Sequence, residues 1–493
     1  MIKTLTTILL LMTFPLQASN LGQIRWPIPD WEVTPDSAER MSSQQCKDFV
    51  QFSTTSKDFF TEGLVVIKDG ELQYEYYESK YNAFRPHILW SVSKTITGAL
   101  LGTAVREGKI NLEDHLSELY PIVSMNDNYR KIKVSNLFYL DAGFIWEEFY
   151  SGDVKNSSVV NMLYSKGHYD MATFAANAPL IPQGPAYKFT YSTGTPTITM
   201  GVLKNVYGKD YDRMPWKNFA EPMGLTSFVF EKDATGTFNG GASTYATPRD
   251  MAKIGYMYLN NGKWGEKTIL TDDWIKKTLS VSPGYLSSGT VITNIHEQRV
   301  YGGSIWLNRI VKDGQGKPYP FSPEDMFLAI GHNGQLIIML PTQKMVIART
   351  GTDGEYNSKI DEFVSRAISC FADPDYPIGR NIPPTKDKAS IKSRLETLKS
   401  GIEANILQPS VAKTVCSCYF VVGLDINTCL ERSKIPMAKK MANIIVREND
   451  GQQGMYSIEA RPTLLGKTLG LKTKNLPRAF YDSTHPEFGC TLQ

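Results

Sequence analysis

The chain has 493 residues, too many for one ordinary hydrophobic core, so two or three domains are expected. Its 53 basic and 50 acidic side chains leave a net charge of +3 with no long single-sign run, which argues against nucleic acid as a partner. In chain order, the first predicted element is an export signal over residues 1–18. Lys3 gives a short positive start, Leu5 to Leu16 is largely apolar, and Gln17-Ala18-Ser19 offers a small-residue cleavage site. The apolar stretch falls short of the roughly 20 residues that span a bilayer, so no stable membrane span is expected after removal of the signal. An uncleaved N-terminal anchor is the competing reading. No cysteine follows the cleavage region closely, so a lipoprotein is not indicated.

Residues Gly63 to Tyr77 carry apolar and β-branched side chains on both sides of Asp69-Gly70, which predicts a hairpin. Next comes Ser91-Val92-Ser93-Lys94, followed by the small and apolar run Thr95 to Gly102. On a helix, serine and lysine three positions apart share a face, so the amine can take the hydroxyl proton. Ile96, Ala99, Leu100, Thr103 and Ala104 give this segment a buried face at helical spacing, and Gly108 stops it. Ser91 would then open a buried helix, where the helix dipole favours a developing alkoxide and the Ser91 N–H can bind an oxyanion. Roughly two Ser-x-x-Lys matches are expected by chance in a chain of this length. A second one, Ser410 to Lys413, follows Pro409 with no long helix expected behind it.

Further helices are predicted over Ser157 to Ser165, Asp170 to Ala176, Thr197 to Val206 and Asp250 to Asn260. Before the third of these stands Tyr191-Ser192-Thr193-Gly194, a polar turn whose phenol is a candidate proton relay. Gly331-His332-Asn333-Gly334-Gln335 precedes a predicted strand, Leu336 to Leu340, which pairs with Met345 to Arg349 around Pro341 to Lys344. Two glycines bracketing a polar pair allow close approach of a substrate backbone, and the N–H of Gln335 is placed to complete an oxyanion hole. A helix pattern, Ile360, Phe363, Val364, Ala367 and Ile368, follows. Strands at both ends with helices between them suggest an α+β unit over 19–372: one antiparallel sheet, flanking helices and a helical subdomain.

Residues 373–389 are rich in proline and charge and read as a linker. Beyond it, 390–493 is predicted as a small cysteine-rich unit, with a helix over Ala389 to Ala404 and strands or half-buried segments at Val415 to Val422, Ala442 to Glu448 and Ser457 to Leu465. The six cysteines fit three disulfides in an oxidising compartment, with Cys46 expected to pair with Cys370 and Cys416, Cys418, Cys429 and Cys490 among themselves. A zinc site in that cluster would want nearby histidines and a Cys-x-x-Cys spacing, which the sequence lacks.

Taken together, Trp90-Ser91-Val92-Ser93-Lys94-Thr95, Tyr191-Ser192-Thr193-Gly194 and His332-Asn333-Gly334 resemble the three ordered motifs of the serine β-lactamase and penicillin-binding-protein superfamily. The branch they most resemble holds class C β-lactamases, D-alanyl-D-alanine carboxypeptidases, family VIII esterases and 6-aminohexanoate-oligomer hydrolases. Gly240-Gly241-Ala242-Ser243-Thr244, Thr247-Pro248-Arg249-Asp250 and Tyr301 to Asn308 support the likeness, which covers roughly residues 50–372. The resemblance implies a β-lactamase-like fold, Ser91 as the acylated nucleophile, Lys94 and Tyr191 sharing the proton work, and Thr193, His332, Asn333 and Gly334 facing substrate. It implies no metal and no organic cofactor, and a small ester, amide or peptide as substrate. For Lys94 to act as base, its pKa must fall from about 10.4 toward 7 to 8, roughly 3 to 4 kcal/mol of environmental work.

Two departures from the family pattern bear on substrate. Thr193 stands where class C β-lactamases usually carry asparagine, and it offers one hydroxyl instead of an amide. His332 stands where a lysine commonly faces a substrate carboxylate, and a histidine is mostly uncharged at neutral pH. Both favour a periplasmic or secreted esterase or amidase over an efficient β-lactamase. D-Alanyl peptide hydrolysis and a penicillin-binding-type sensor that acylates without turnover are the alternatives. The C-terminal unit shows no catalytic constellation, and oligomeric state is not legible from sequence.

Overall fold

The structure, a computed structural model, describes residues 24–34, 37–56, 59–122, 126–181, 188–288, 299–311, 316–353, 359–379, 391–403, 405–433 and 438–493. The expected export signal and most of the expected linker lie outside the described residues. The predicted hairpins form as Thr61–Lys68 with Glu71–Tyr77 and Gln335–Leu340 with Met345–Gly351. They join in one seven-stranded sheet in the order Glu71–Tyr77, Thr61–Lys68, Met345–Gly351, Gln335–Leu340, Phe327–Gly331, Trp306–Leu307, Val300–Tyr301. The ladder Leu64↔Arg349 to Lys68↔Met345 is antiparallel and places the first and last strands of this sheet in chain order side by side, second and third from one edge.

Alternation along Met345–Gly351 sends successive side chains to opposite faces. Gly255, in helix Pro248–Leu259, packs over Val346 and Ile337, whereas Arg349 lies under the Phe59 ring, 3.5 Å from its centroid. The Phe59 side is covered by helices Gln44–Thr55 and Ile360–Phe371, where Phe49 stacks on Phe363 and Cys46 is bonded to Cys370. On the Gly255 side lies the helix Val92–Arg106, of which Val92 through Ala104 are all buried. Its small residues have a packing cause: a Cβ on Gly102 would stand 2.5 Å from Trp274 Nε1.

Residues from Ile391 onward add helices Ile391–Glu403 and Leu407–Cys416 and a four-stranded antiparallel sheet, Ala442–Arg447, Met455–Pro462, Arg478–Asp482, Cys490–Leu492. Val411, Ala412 and Val415 of the second helix share a core with Ile458, Ala460, Ala479 and Leu492. Cys416 pairs with Cys490 and Cys418 with Cys429, so the four C-terminal cysteines pair among themselves as expected. The expected half-buried strand at Val415 to Val422 is instead the end of that helix continued by a wider helical turn, Ser417–Val422. Ser410 sits within the ten-residue helix Leu407–Cys416, continued by the Ser417–Val422 turn, where a short stretch with no long helix was expected. Its hydroxyl donates to Leu407 O, and Lys413 is paired with Glu231.

This C-terminal segment is docked against the unit built on the seven-stranded sheet. Glu231, 2% exposed, holds Lys413, the Ser417 hydroxyl at 2.5 Å and the Cys490 N–H at 3.1 Å. Arg432 pairs with Glu62, and the Thr397 and Ser400 hydroxyls accept from the N–H groups of Gly152 and Val154. Among the described residues, no helix is long and apolar enough to cross a membrane.

Candidate active site

Ser91 immediately precedes the helix Val92–Arg106 and makes no side-chain cap hydrogen bond, so its hydroxyl is not spent on the helix. Trp90, just before it, takes a left-handed backbone with φ of 48°, uncommon for a bulky residue and characteristic of strained functional turns. One turn on, Lys94 is 1% exposed and its Nζ lies 2.7 Å from Ser91 Oγ. The same nitrogen reaches Thr193 Oγ1 at 2.9 Å and Gly241 O at 3.1 Å. Burial lowers the Lys94 pKa from 10.5 to about 8, while a nearby carboxylate, Glu148, opposes that fall.

Tyr191 follows an extended segment and precedes the helix Gly194–Tyr207. Its hydroxyl hydrogen-bonds Ser91, and its ring lies 4.7 Å from Lys94 Nζ and packs on Trp306 at 5.1 Å. Burial, only partly offset by the Ser91 contact, holds its phenol well above the ordinary range. The opposite pKa directions matter chemically: near neutrality the amine is the group closer to losing a proton, and the phenol keeps its own.

The third motif forms the tight turn His332–Gly334 between strands Phe327–Gly331 and Gln335–Leu340. His332 is half-buried, with its ring 5.4 Å from Trp90 and 5.0 Å from Tyr150. Asn333 takes φ of 64°, and its carbonyl accepts from Asp353 N–H at 3.1 Å. Gly334 O accepts from Arg349 Nη1 at 2.9 Å, and the fully buried Arg349 forks onto Asp353 at 2.7 and 2.8 Å. The Gln335 side-chain amide donates to Gly351 O at 2.8 Å and His332 O at 3.2 Å, fixing the backbone where the strand begins. The turn that carries His332 to Gln335 is thus held by a buried cation and two amide contacts.

Ser91, Lys94, Tyr191 and Thr193 therefore meet at one place, and His332 stands beside Trp90, the neighbour of Ser91. Sequence reasoning singled out Gly240-Gly241 only as a likeness, but its reason is steric. A Cβ on Gly241 would lie 2.3 Å from Thr193 O, so only glycine lets the Gly241 carbonyl approach Lys94.

Two site residues escaped the sequence. Glu148, 5% exposed, lies 3.7 Å from Lys94 Nζ. It accepts from Trp146 Nε1 at 2.6 Å, from the Thr193 N–H at 3.0 Å and from the Thr193 hydroxyl. Tyr150 hydrogen-bonds the same Thr193 hydroxyl. The paired acids Glu147-Glu148 following Trp146 were the available signal, though acids in a loop ordinarily face water.

Comparison with known proteins gives the family and the fold. The β-lactamase family model matches residues 56–358. A 6-aminohexanoate-dimer hydrolase of Paenarthrobacter ureafaciens is 23% identical over 228 residues, which is 45% of this chain and 57% of that protein. This chain thus spans little more than half the length of that curated relative. Among solved structures, a Bacillus anthracis protein with the provisional name 6-aminohexanoate-dimer hydrolase superposes with a TM-score of 0.53 at 20% identity, covering 71% of this chain and 88% of that one. A family VIII carboxylesterase superposes with a TM-score of 0.50 at 14% identity, covering 69% and 98%. At these identities the superpositions speak to fold alone.

Proposed function

Because this chain belongs to the β-lactamase family, we propose that it is an exported serine hydrolase that forms an acyl-enzyme at Ser91 and hydrolyses small ester or amide substrates. The observation that carries the reading is the buried Lys94 amine, 2.7 Å from Ser91 Oγ with a pKa lowered to about 8. With that value about a tenth of the amine is neutral at pH 7, far more than an ordinary lysine offers. In the first step Ser91 Oγ bonds to the acyl carbon and its proton passes to Lys94. Tyr191, kept protonated by burial and hydrogen-bonded to Ser91, gives a proton to the leaving oxygen or nitrogen as its bond to carbon breaks, and is resupplied from Lys94. The N–H groups of Ser91 and Gln335 take the oxyanion, and Thr193, His332, Asn333 and Gly334 border the substrate.

The preference for esters or amides over β-lactams rests on Thr193 and His332, neither of which supplies the fixed positive charge that a substrate carboxylate would seek. The name of the aminohexanoate-dimer hydrolase relative is consistent with an amide among the substrates. Export rests on the N-terminal sequence pattern and on three disulfides. Residues 19–372 form the catalytic domain in this reading, and 390–493 an accessory domain.

The test is covalent. The mature protein is treated with a fluorophosphonate and, separately, with a penicillin, adducts are located by mass spectrometry, and p-nitrophenyl esters, D-Ala-D-Ala peptides and linear aminohexanoate dimers are then screened. A fluorophosphonate adduct on Ser91 with ester turnover, and slower turnover of the linear aminohexanoate dimer, is expected. Turnover of D-Ala-D-Ala peptides alone would overturn the ester or amide preference, and labelling without any turnover would make the protein a sensor.

A further inference from the structure

Beside the candidate catalytic residues lies a cavity of about 120 Å³, whose walls come from two parts of the chain. On the catalytic side they include Trp90, Ala242 and Asn333. Trp90 adjoins Ser91, Ala242 adjoins the carbonyl that holds Lys94, and Asn333 belongs to the third motif. The opposite wall is C-terminal, with Val422 and Leu424 contributing apolar surface and Lys413 and Arg432 contributing charge. Both cations are already matched, Lys413 by Glu231 and Arg432 by Glu62, so the walls carry no uncompensated charge.

One buried polar atom on these walls is unsatisfied among the described residues, His87 Nε2. His87 is 3% exposed, stacks on Tyr81 at 4.1 Å and turns Nδ1 to Glu62 at 3.3 Å. A carboxylate oxygen only accepts, which places the ring proton on Nδ1 and leaves Nε2 as an acceptor. Burial keeps the ring neutral, with a pKa of about 3. His87 therefore adds no charge to the walls.

Resting on the serine-hydrolase reading above, the geometry points to this cavity as the acyl-side subsite, closed by the C-terminal segment and selective for a neutral acyl chain of several carbons. A free ammonium or carboxylate would enter walls whose charges are mutually cancelled and would find no counter-charge to replace its water. The accessory segment then sets specificity while taking no part in the chemistry.

The full-length mature protein is assayed with p-nitrophenyl acetate, hexanoate and octanoate, and with ammonium- and carboxylate-terminated esters of hexanoyl length. The wild type is expected to show the highest kcat/KM for neutral hexanoyl groups, with charged analogues about tenfold or more below. Leu424→Trp, which fills the C-terminal wall, should lower the hexanoyl-to-acetyl ratio about tenfold. Leu424→Ala should instead raise the octanoyl-to-hexanoyl ratio, a gain that misfolding cannot imitate. Ratios within about twofold of wild type in the Ala variant, or equal rates for charged and neutral esters, would overturn this assignment. Ester hydrolysis that survives Ser91→Ala would overturn the parent reading instead, so the two failures are distinguishable.

Discussion

Replacing Glu148 with glutamine removes the carboxylate that opposes the fall of the Lys94 pKa while keeping side-chain volume. The Gln oxygen can still accept from Trp146 Nε1 and the Thr193 N–H, and its amide can donate to the Thr193 hydroxyl, which now accepts. The carboxylate stands 3.7 Å from the ammonium. At an effective dielectric near 20 that pair is worth about 4 kcal/mol, or about 3 pH units at 1.36 kcal/mol each. Loss of the Thr193 and Gln reorganisation takes back part of this, so the Lys94 pKa should drop by at least about one unit below its present value near 8. Lys94 acts in its neutral form, so activity rises with pH through that pKa, and lowering the pKa moves the acid limb of kcat/KM down. Measured on a p-nitrophenyl ester from pH 5 to 9, the ratio of the pH 6 rate to the pH 9 rate should increase about tenfold in Glu148→Gln. The plateau itself should fall, because a weaker base drives proton transfer less. The pH dependence of fluorophosphonate labelling at Ser91 gives the same readout without turnover. An acid limb that stays in place or moves up would refute the assignment of Lys94 as the titrating base.

Gly241→Ala would press a Cβ to 2.3 Å from Thr193 O and 2.8 Å from Thr193 Cα, contacts with backbone that cannot rotate away. A kcat/KM loss of about 100-fold or more is expected together with a lower Tm, and wild-type kinetics would contradict the close approach described for Lys94. Lys413→Met strands the buried Glu231 without its cation and should cost about 3 to 5 kcal/mol in urea unfolding. Adding Glu231→Gln, which removes the stranded charge, should return much of that loss; strict additivity of the two substitutions would show that the pair does not couple the segments.

The candidate site was largely legible because its parts are local patterns. Ser91 and Lys94 sit one helical turn apart on a run of small residues, and both hairpins announce themselves by alternation around tight turns. The missed features depend on contacts between distant segments. Glu148 acquires its role from Thr193, 45 positions away, and from Trp146. Val415 to Val422 reads as strand from its aromatic and β-branched side chains, but the disulfides of Cys416 and Cys418 and the burial of Val415, Cys416 and Cys418 favour a helical path. The short strands Arg478–Asp482 and Cys490–Leu492 carry too few residues for a periodic signal. The cavity beside the site has no signature at all, since its two walls lie hundreds of positions apart, as Glu62 and Arg432 do at 370.

The seven-stranded sheet pairs its earliest strand with its last, with Thr61 and Arg349 in contact across 288 positions. During synthesis the first hairpin therefore waits for its neighbour until nearly the whole catalytic region has left the ribosome. Such distant pairing makes folding slow and leaves an unzipped edge in the meantime. The Cys46–Cys370 bond closes a still larger ring of 324 residues, and once formed it keeps the two chain ends from drifting apart whenever that seam opens.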